Sequence, residues 1–339
     1  MWEDDVTRVD RFLRPLVVAL AGALVLAAAT PPTLASADPL QVLTPPTPAR
    51  RTVVASADGV KLIAYEWGNP AGPPILFIHG SFQSSLSWMD QAADPRLTAK
   101  YRLIAFDLRG HGASDKPDDP AAYRDGARWA GDVAAVIGDL HLDRPVVVAW
   151  SYGARVLDDY LQAYGDRRLS GIIYVDARSI GAIPGAPATT DPEAARIAKQ
   201  ALSDDPATLA KASREFVLLC LQKPIPPRQI DLLTSASLKT PAYVRRAMSG
   251  RPLAYEAVLK AIDVPVLIVQ GDADRVVAPA ISQYTLGLIV GSSQSLYPGV
   301  GHSPFLEDPA RFDAELEAFM GHVWPAPIPP VRKPAAPSP

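Results

Sequence analysis

A single cysteine, Cys220, stands among 339 residues, so no internal disulfide can staple the chain and its stability must come from a packed core. Positive charge is not in excess either. Against 33 lysines and arginines stand 36 aspartates and glutamates, for a formal net charge of −3; without a basic stripe, nucleic acid is not an expected partner. There is no H-E-x-x-H, no CxxC pair and no G-x-G-x-x-G after a strand, so neither a metal nor an organic cofactor is expected. What is present is 48% hydrophobic and 20% charged, a composition able to bury a large core in one big domain.

The ends read differently from the middle. Arg11 and Arg14 precede an apolar run from Leu16 to Ala29, followed by Ala35-Ser36-Ala37, the A-x-A pattern of a signal-peptidase cut. That run falls short of the ~20 residues a membrane-spanning helix needs. Residues 1–37 are therefore expected to be a signal peptide cleaved after Ala37, giving an exported, periplasmic or extracellular product without stable membrane insertion. The acidic start "MWEDD" keeps an uncleaved N-terminal anchor as the alternative. Residues 38–50 and 325–339 are proline-rich and without hydrophobic period, a linker and a tail that bracket a domain over 51–324.

Inside that domain, apolar runs of strand length alternate with helical patterns, the mark of a mostly parallel sheet flanked by helices. The expected strands are Arg51 to Ser56, Lys61 to Trp67, Pro74 to Ile78, Tyr101 to Asp107, Pro145 to Trp150, Gly171 to Asp176, Val264 to Gln270 and Gln294 to Tyr297. Asp58-Gly59 joins the first two as an antiparallel hairpin. From about 179 to 262 no strand-like run occurs. "DPEAARIAKQAL", "DPATLAKASREFVLLCLQ" and "TPAYVRRAM" read instead as a helical cap inserted after the sixth strand, over the C-terminal edge of the sheet.

The chemistry concentrates in three places. In "VVVAWSYGARVLDD" a strand meets a helix at Ser151, with Ala149 two before and Gly153 two after. Small residues at those positions let the chain reverse sharply and present the serine as a nucleophile. In "ILFIHGSFQSS" a buried strand ends at His79-Gly80, which puts the backbone N–H of Ser81 beside the serine. With the N–H of Tyr152 it forms an oxyanion hole, commonly worth ~3 kcal/mol per donor in acyl transfer. His79 itself reads as structural.

"VLIVQGDADRVV" ends a strand in two acids, and "YPGVGHSPFLEDP" holds His302 in a glycine-rich loop ahead of a helix. Asp274 is the candidate to orient His302, with Asp272 as a turn cap and Asp176 as a further acid within reach. An imidazole titrating near neutrality can swing to the serine, take its proton and return it to the leaving group. Ser151, Asp274 and His302 follow the order Ser…Asp…His, each just after a different strand.

Together "FIHGSFQSS", "IAFDLRGHGASDKP", "VAWSYG", "VQGDADRVV" and "GHSPFLEDP" resemble the α/β-hydrolase fold family, over roughly Val53 to Met320, and within it the bacterial esterases, perhydrolases and cofactor-free haloperoxidases. The resemblance implies an eight-stranded α/β-hydrolase sheet and a serine hydrolase. It also implies that Asp107, Arg109, Gly110, His111, Gly112 and Ser114 form a structural turn. Ser151 stands where the epoxide hydrolases and haloalkane dehalogenases carry aspartate, which disfavours them. Many haloperoxidase-like members follow His-Gly with an aromatic and a proline, whereas Ser81-Phe82-Gln83 stands here.

The expected activity is hydrolysis of a small or medium ester-like small molecule through an acyl-enzyme, most simply a carboxylic ester. Lactonase, peptidase or perhydrolase chemistry would keep the same triad, and a low-turnover ligand-binding use of the fold is the alternative of another class. Phe82, Trp88 and Trp150 are the expected pocket residues. Phe216, Leu218, Leu219 and Cys220 are either lid residues or their helix's own buried stripe.

Overall fold

Apolar side chains of the strands alternate between two cores. Along Pro74–Ile78, Leu76 and Ile78 pack with Trp129, Tyr152 and Leu157, whereas Ile75 and Phe77 pack with Trp88, Phe305 and Phe312. An extended chain sends successive side chains to opposite faces, so a segment covered on both sides must be apolar throughout. "VVVAW" and "GIIYV" are such segments, buried at every position. Each fully buried Val, Leu or Ile contributes roughly 1.5–3 kcal/mol.

The structure is a computed structural model that describes residues 45–184, 191–251 and 253–324. The chain divides into two units, Met1–Gln41 and Val42–Pro339, and every described residue belongs to the second. The expected signal segment, most of the linker and the tail lie outside the described residues. Among the described residues no helix is long and apolar enough to cross a membrane.

One sheet holds β1 Arg50–Ala55, β2 Lys61–Gly68, β3 Pro74–Ile78, β4 Arg102–Asp107, β5 Val146–Trp150, β6 Gly171–Val175, β7 Val266–Gly271 and β8 Ser293–Tyr297. Their spatial order is β1-β2-β4-β3-β5-β6-β7-β8. β2 runs antiparallel to both neighbours, and all later pairings are parallel. All eight strands end within two residues of the bounds expected from sequence. Gly59 turns the first hairpin at φ +84°, a conformation that costs glycine little. Because β3, β5, β6, β7 and β8 are parallel, the loops that follow them emerge at one end of the sheet, where ligands of open α/β sheets bind.

Between β6 and β7 the helices Pro192–Gln200, Pro206–Leu219, Pro227–Leu238, Ala242–Ser249 and Glu256–Lys260 form the cap. Two of them start at Asp-Pro. Asp191 accepts from the N–H groups of Glu193 and Ala194, and Asp205 from that of Thr208, each with proline opening the helix. The helix Pro227–Leu238 was not singled out by the sequence. Its N-cap position is Pro226, with no side chain to cap it, so the usual start signal is missing.

A buried acid contributes to the pH response of the fold. Asp158, on the helix Tyr152–Tyr164, is fully buried and accepts from the Tyr174 hydroxyl at 2.6 Å. Burial raises its carboxyl to about 7. A raised carboxyl favours the fold only while it is protonated, so stability falls as pH rises from ~4 through about 7 and is level above. Asp158→Asn removes that decline. In urea titrations the variant's stability relative to wild type should be more favourable at pH 8 than at pH 4.5, by on the order of 2–4 kcal/mol. An equal difference at both pH values would refute the assignment.

Candidate active site

β5 passes into the helix Tyr152–Tyr164 through Ser151, whose backbone sits at φ 53°, ψ −115°. This is a sparsely allowed region for any residue with a Cβ. The turn is stitched to the end of β6: the Ser151 N–H donates to the Val175 carbonyl at 2.9 Å, and the Ser151 carbonyl accepts from the Arg178 N–H at 3.3 Å. Gly153 is required by close approach, because a Cβ there would lie 2.5 Å from the Ile78 carbonyl oxygen and 2.8 Å from that of His79.

His302 Nδ1 lies 2.7 Å from Asp274 Oδ2. Asp274 is held in turn by the N–H groups of Val276 and Val277, at 2.7 and 3.0 Å, and by the Gln270 side-chain amide at 3.3 Å. A carboxylate at Nδ1 assigns the proton to that nitrogen and leaves the lone pair on Nε2. Nε2 is buried and has no hydrogen-bond partner among the described residues. Asp272, expected to cap its own turn, instead braces the neighbouring one: it accepts from the N–H of Gly299, in the turn after β8, at 2.7 Å.

The loop carrying His302 is not the flexible one that its glycines suggested. The His302 N–H donates to the Cys220 carbonyl at 2.8 Å, and the Trp150 indole donates to the His302 carbonyl at 2.7 Å. The Trp150 and His302 rings stand 5.6 Å apart, so the residue preceding Ser151 is the one that steadies the imidazole. Glu307 ties the same loop to the cap, accepting from the N–H groups of Gln222 and Lys223 at 2.7 Å and of Gly301 at 2.9 Å.

Asp176, the third acid, is fully buried and accepts from the Gly271 N–H at 2.9 Å. Burial, and then the neighbouring Asp274, push its carboxyl well above the usual range. Ligating atoms of Asp176, Asp274 and His302 lie within 4.8 Å of one another. A neutral carboxyl beside an imidazole already bonded to its carboxylate is a poor cage for a cation.

Ser81, Phe82, Ser151 and Tyr152 line a cleft of about 260 Å³ beneath the cap. The backbone N–H groups of Ser81 and Tyr152 find no acceptor among the described residues. Two imidazoles shape the loop that carries Ser81. His79 Nδ1 meets the Gly80 carbonyl at 2.8 Å, and its Nε2 accepts from the Leu108 N–H at 3.0 Å. His111 Nδ1 meets the Arg109 carbonyl at 2.9 Å, and its Nε2 accepts from the Phe82 N–H at 3.2 Å. Accepting at Nε2 requires a neutral ring, and burial lowers the pKa of both histidines accordingly.

Two expected pocket residues are elsewhere. Trp88 is in the core on the opposite face of the sheet from Trp129, 4.9 Å from the Phe77 ring and 4.4 Å from that of Phe305. Trp150 shares the parity of Val146 and Val148, which turns its ring into the same core. Of the lid candidates, Phe216 lines the cleft and Leu218 is exposed, while Leu219 packs within the cap and Cys220 holds the His302 N–H. Sequence reasoning missed the cleft's arginines: Arg155, Arg178, Arg245 and Arg251 all line it. Arginines spread from Arg155 to Arg251, across helices, a strand and loops, give no local signal, because their convergence is a product of tertiary packing.

A model of the alpha/beta hydrolase family matches residues 75–315. The solved esterase RhEst1 from Rhodococcus sp. ECU1013 is 36% identical with a TM-score of 0.73, over 80% of this chain and 99% of that one. A non-heme haloperoxidase from Rhodococcus erythropolis is 28% identical, and a non-heme chloroperoxidase from Streptomyces lividans 27%, each over 79% of this chain and 98% of the relative. By the matched segment, the eight-stranded sheet and these likenesses, the chain belongs to the alpha/beta hydrolase family.

Proposed function

We propose that the chain is an exported serine hydrolase that cleaves a small or medium carboxylic ester through Ser151, His302 and Asp274. The observation that carries this reading is the buried Nε2 of His302, without a hydrogen-bond partner among the described residues, with Asp274 2.7 Å from the other ring nitrogen and Trp150 linking the loop to Ser151. A basic nitrogen kept dry and unpaired is costly unless a proton donor arrives there. The likeness to RhEst1 supports an ester as the substrate. The apolar run Leu16 to Ala29 and the A-x-A pattern ending at Ala37 support export.

In this mechanism Ser151 Oγ attacks the ester carbonyl as His302 Nε2 takes its proton. The N–H groups of Ser81 and Tyr152 hold the developing oxyanion. Asp274 keeps the imidazole in the required tautomer and stabilises the imidazolium. Collapse expels the alcohol, which receives the proton from His302; water activated by the same nitrogen then releases the acid and restores Ser151. Perhydrolysis is the second reading, favoured by the 28% identity to the R. erythropolis haloperoxidase. Hydrogen peroxide would then replace water in the second half.

Hydrolysis of p-nitrophenyl acetate, butyrate and octanoate tests the reading. Ser151→Ala and His302→Gln should each lower kcat by at least ~10³, and Asp274→Asn by ~10²–10⁴. Turnover that survives Ser151→Ala would overturn it. His111→Phe leaves the Phe82 N–H without its acceptor, so it should lower kcat more than it raises KM and reduce stability by about 1–3 kcal/mol in urea unfolding. Unchanged kcat would free His111 from any part in holding the oxyanion loop.

A further inference from the structure

Arginine is buried elsewhere in this protein against carboxylates. Arg109 is fully buried and meets Asp132 at 2.6 Å through two nitrogens, and Arg251 meets both oxygens of Asp159 at 2.6 Å. Arg245 breaks that pattern. It is fully buried, and among the described residues its guanidinium donates only to neutral oxygens: the Thr240 carbonyl at 2.9 Å, the Ser237 carbonyl at 2.6 Å, and the Ser213 and Ser237 hydroxyls at 3.3 Å. Its Nη1 has no hydrogen-bond partner among the described residues. Burial lowers its pKa only to about 10, which leaves it cationic at neutral pH.

Arg245 also faces the site. Its guanidinium carbon lies 4.5 Å from the centre of the Phe82 ring, on the residue next to the Ser81 oxyanion donor. From the other side comes Arg178, whose own N–H bonds the Ser151 carbonyl. Its side chain is exposed, lines the cleft and forms no ion pair with a carboxylate among the described residues. Its pKa is lowered by desolvation and then by Arg155, with the Asp274 carboxylate acting in the opposite direction. No aspartate or glutamate among the described residues lines this cleft, whereas Arg178 and Arg245 both do.

We propose that the cleft selects an ester bearing a carboxylate, on its acyl or its alcohol part, which Arg178 and Arg245 bind. This rests on the hydrolase reading above and specifies its substrate class. A planar guanidinium matches a carboxylate through two parallel N–H donors, and the pairing strengthens where water is scarce. The substrate thus supplies the anion that Asp132 and Asp159 supply to the other buried arginines. Neutral esters fill the same apolar floor but leave Arg245 Nη1 unpaired.

Two matched pairs test this with the full chain: phenyl hydrogen adipate against phenyl hexanoate, and 4-acetoxybenzoate against phenyl acetate. The first pair places the charge on the acyl side and the second on the alcohol side. At least one charged ester should exceed its neutral partner by about tenfold in kcat/KM, chiefly through KM. That ratio should fall toward unity in Arg178→Gln and Arg245→Gln and shrink with added salt. Arg178 donates no side-chain hydrogen bond among the described residues, so R178Q reports even where R245Q fails to fold. A neutral preference in both pairs, or a charged preference untouched by R178Q, overturns the proposal and leaves the ester reading standing. No turnover of any of the four overturns both.

Discussion

The backbone of Ser151 is held where a side-chain-bearing residue does not settle by choice, and the surrounding structure exists to hold it there. A residue so strained costs on the order of 1–3 kcal/mol and persists only when its neighbours over-determine it. The neighbours here are specific. The end of β6 fixes both the N–H and the carbonyl of the turn, and the absence of a Cβ at Gly153 lets the helix press against the end of β3. The two cores on either side of the sheet are what make this rigid, since neither strand can shift without moving side chains on both faces.

Most of this arrangement was legible because it follows from short-range rules. A run such as "VVVAW" can only be a strand covered on both faces, and Gly153 after Ser151 marks a close approach. The acid and histidine at the ends of β7 and β8 were readable from loops that end strands. What escaped was information carried by distant chain. The glycines around His302 look permissive, yet Cys220 and Glu307 bind that loop from outside it. Trp88 was misjudged because nothing local says which face of the sheet a short helical turn after β3 will cover. Trp150 was within reach of the sequence: its parity with Val146 and Val148 assigns it to the core that excludes the cleft.

The electrostatics divide along the same line. Near the loop that carries Ser81 the protein removes charge, keeping His79 and His111 as neutral acceptors by burying them, so that two imidazoles shape a backbone without adding charge to it. On the cap side it accumulates positive charge, with Arg245 resting on Phe82 and Arg178 rising beside Ser151. A site neutral at one wall and cationic at the other imposes an orientation on any polar ligand before contact is made.

The bonds from Cys220 and Glu307 to the histidine loop bear on how such a protein can change over time. The cap supplies the acceptor for the His302 N–H, and the histidine loop supplies the carboxylate that closes the end of a cap helix. A replacement cap grafted from a relative would need a carbonyl at the same point in space, or the imidazole would lose its footing. Recombination that treats the cap as a free module is therefore penalised at its third junction, away from the two points where the chain enters and leaves. New specificities are reached more readily by substitutions within the cap than by exchanging it.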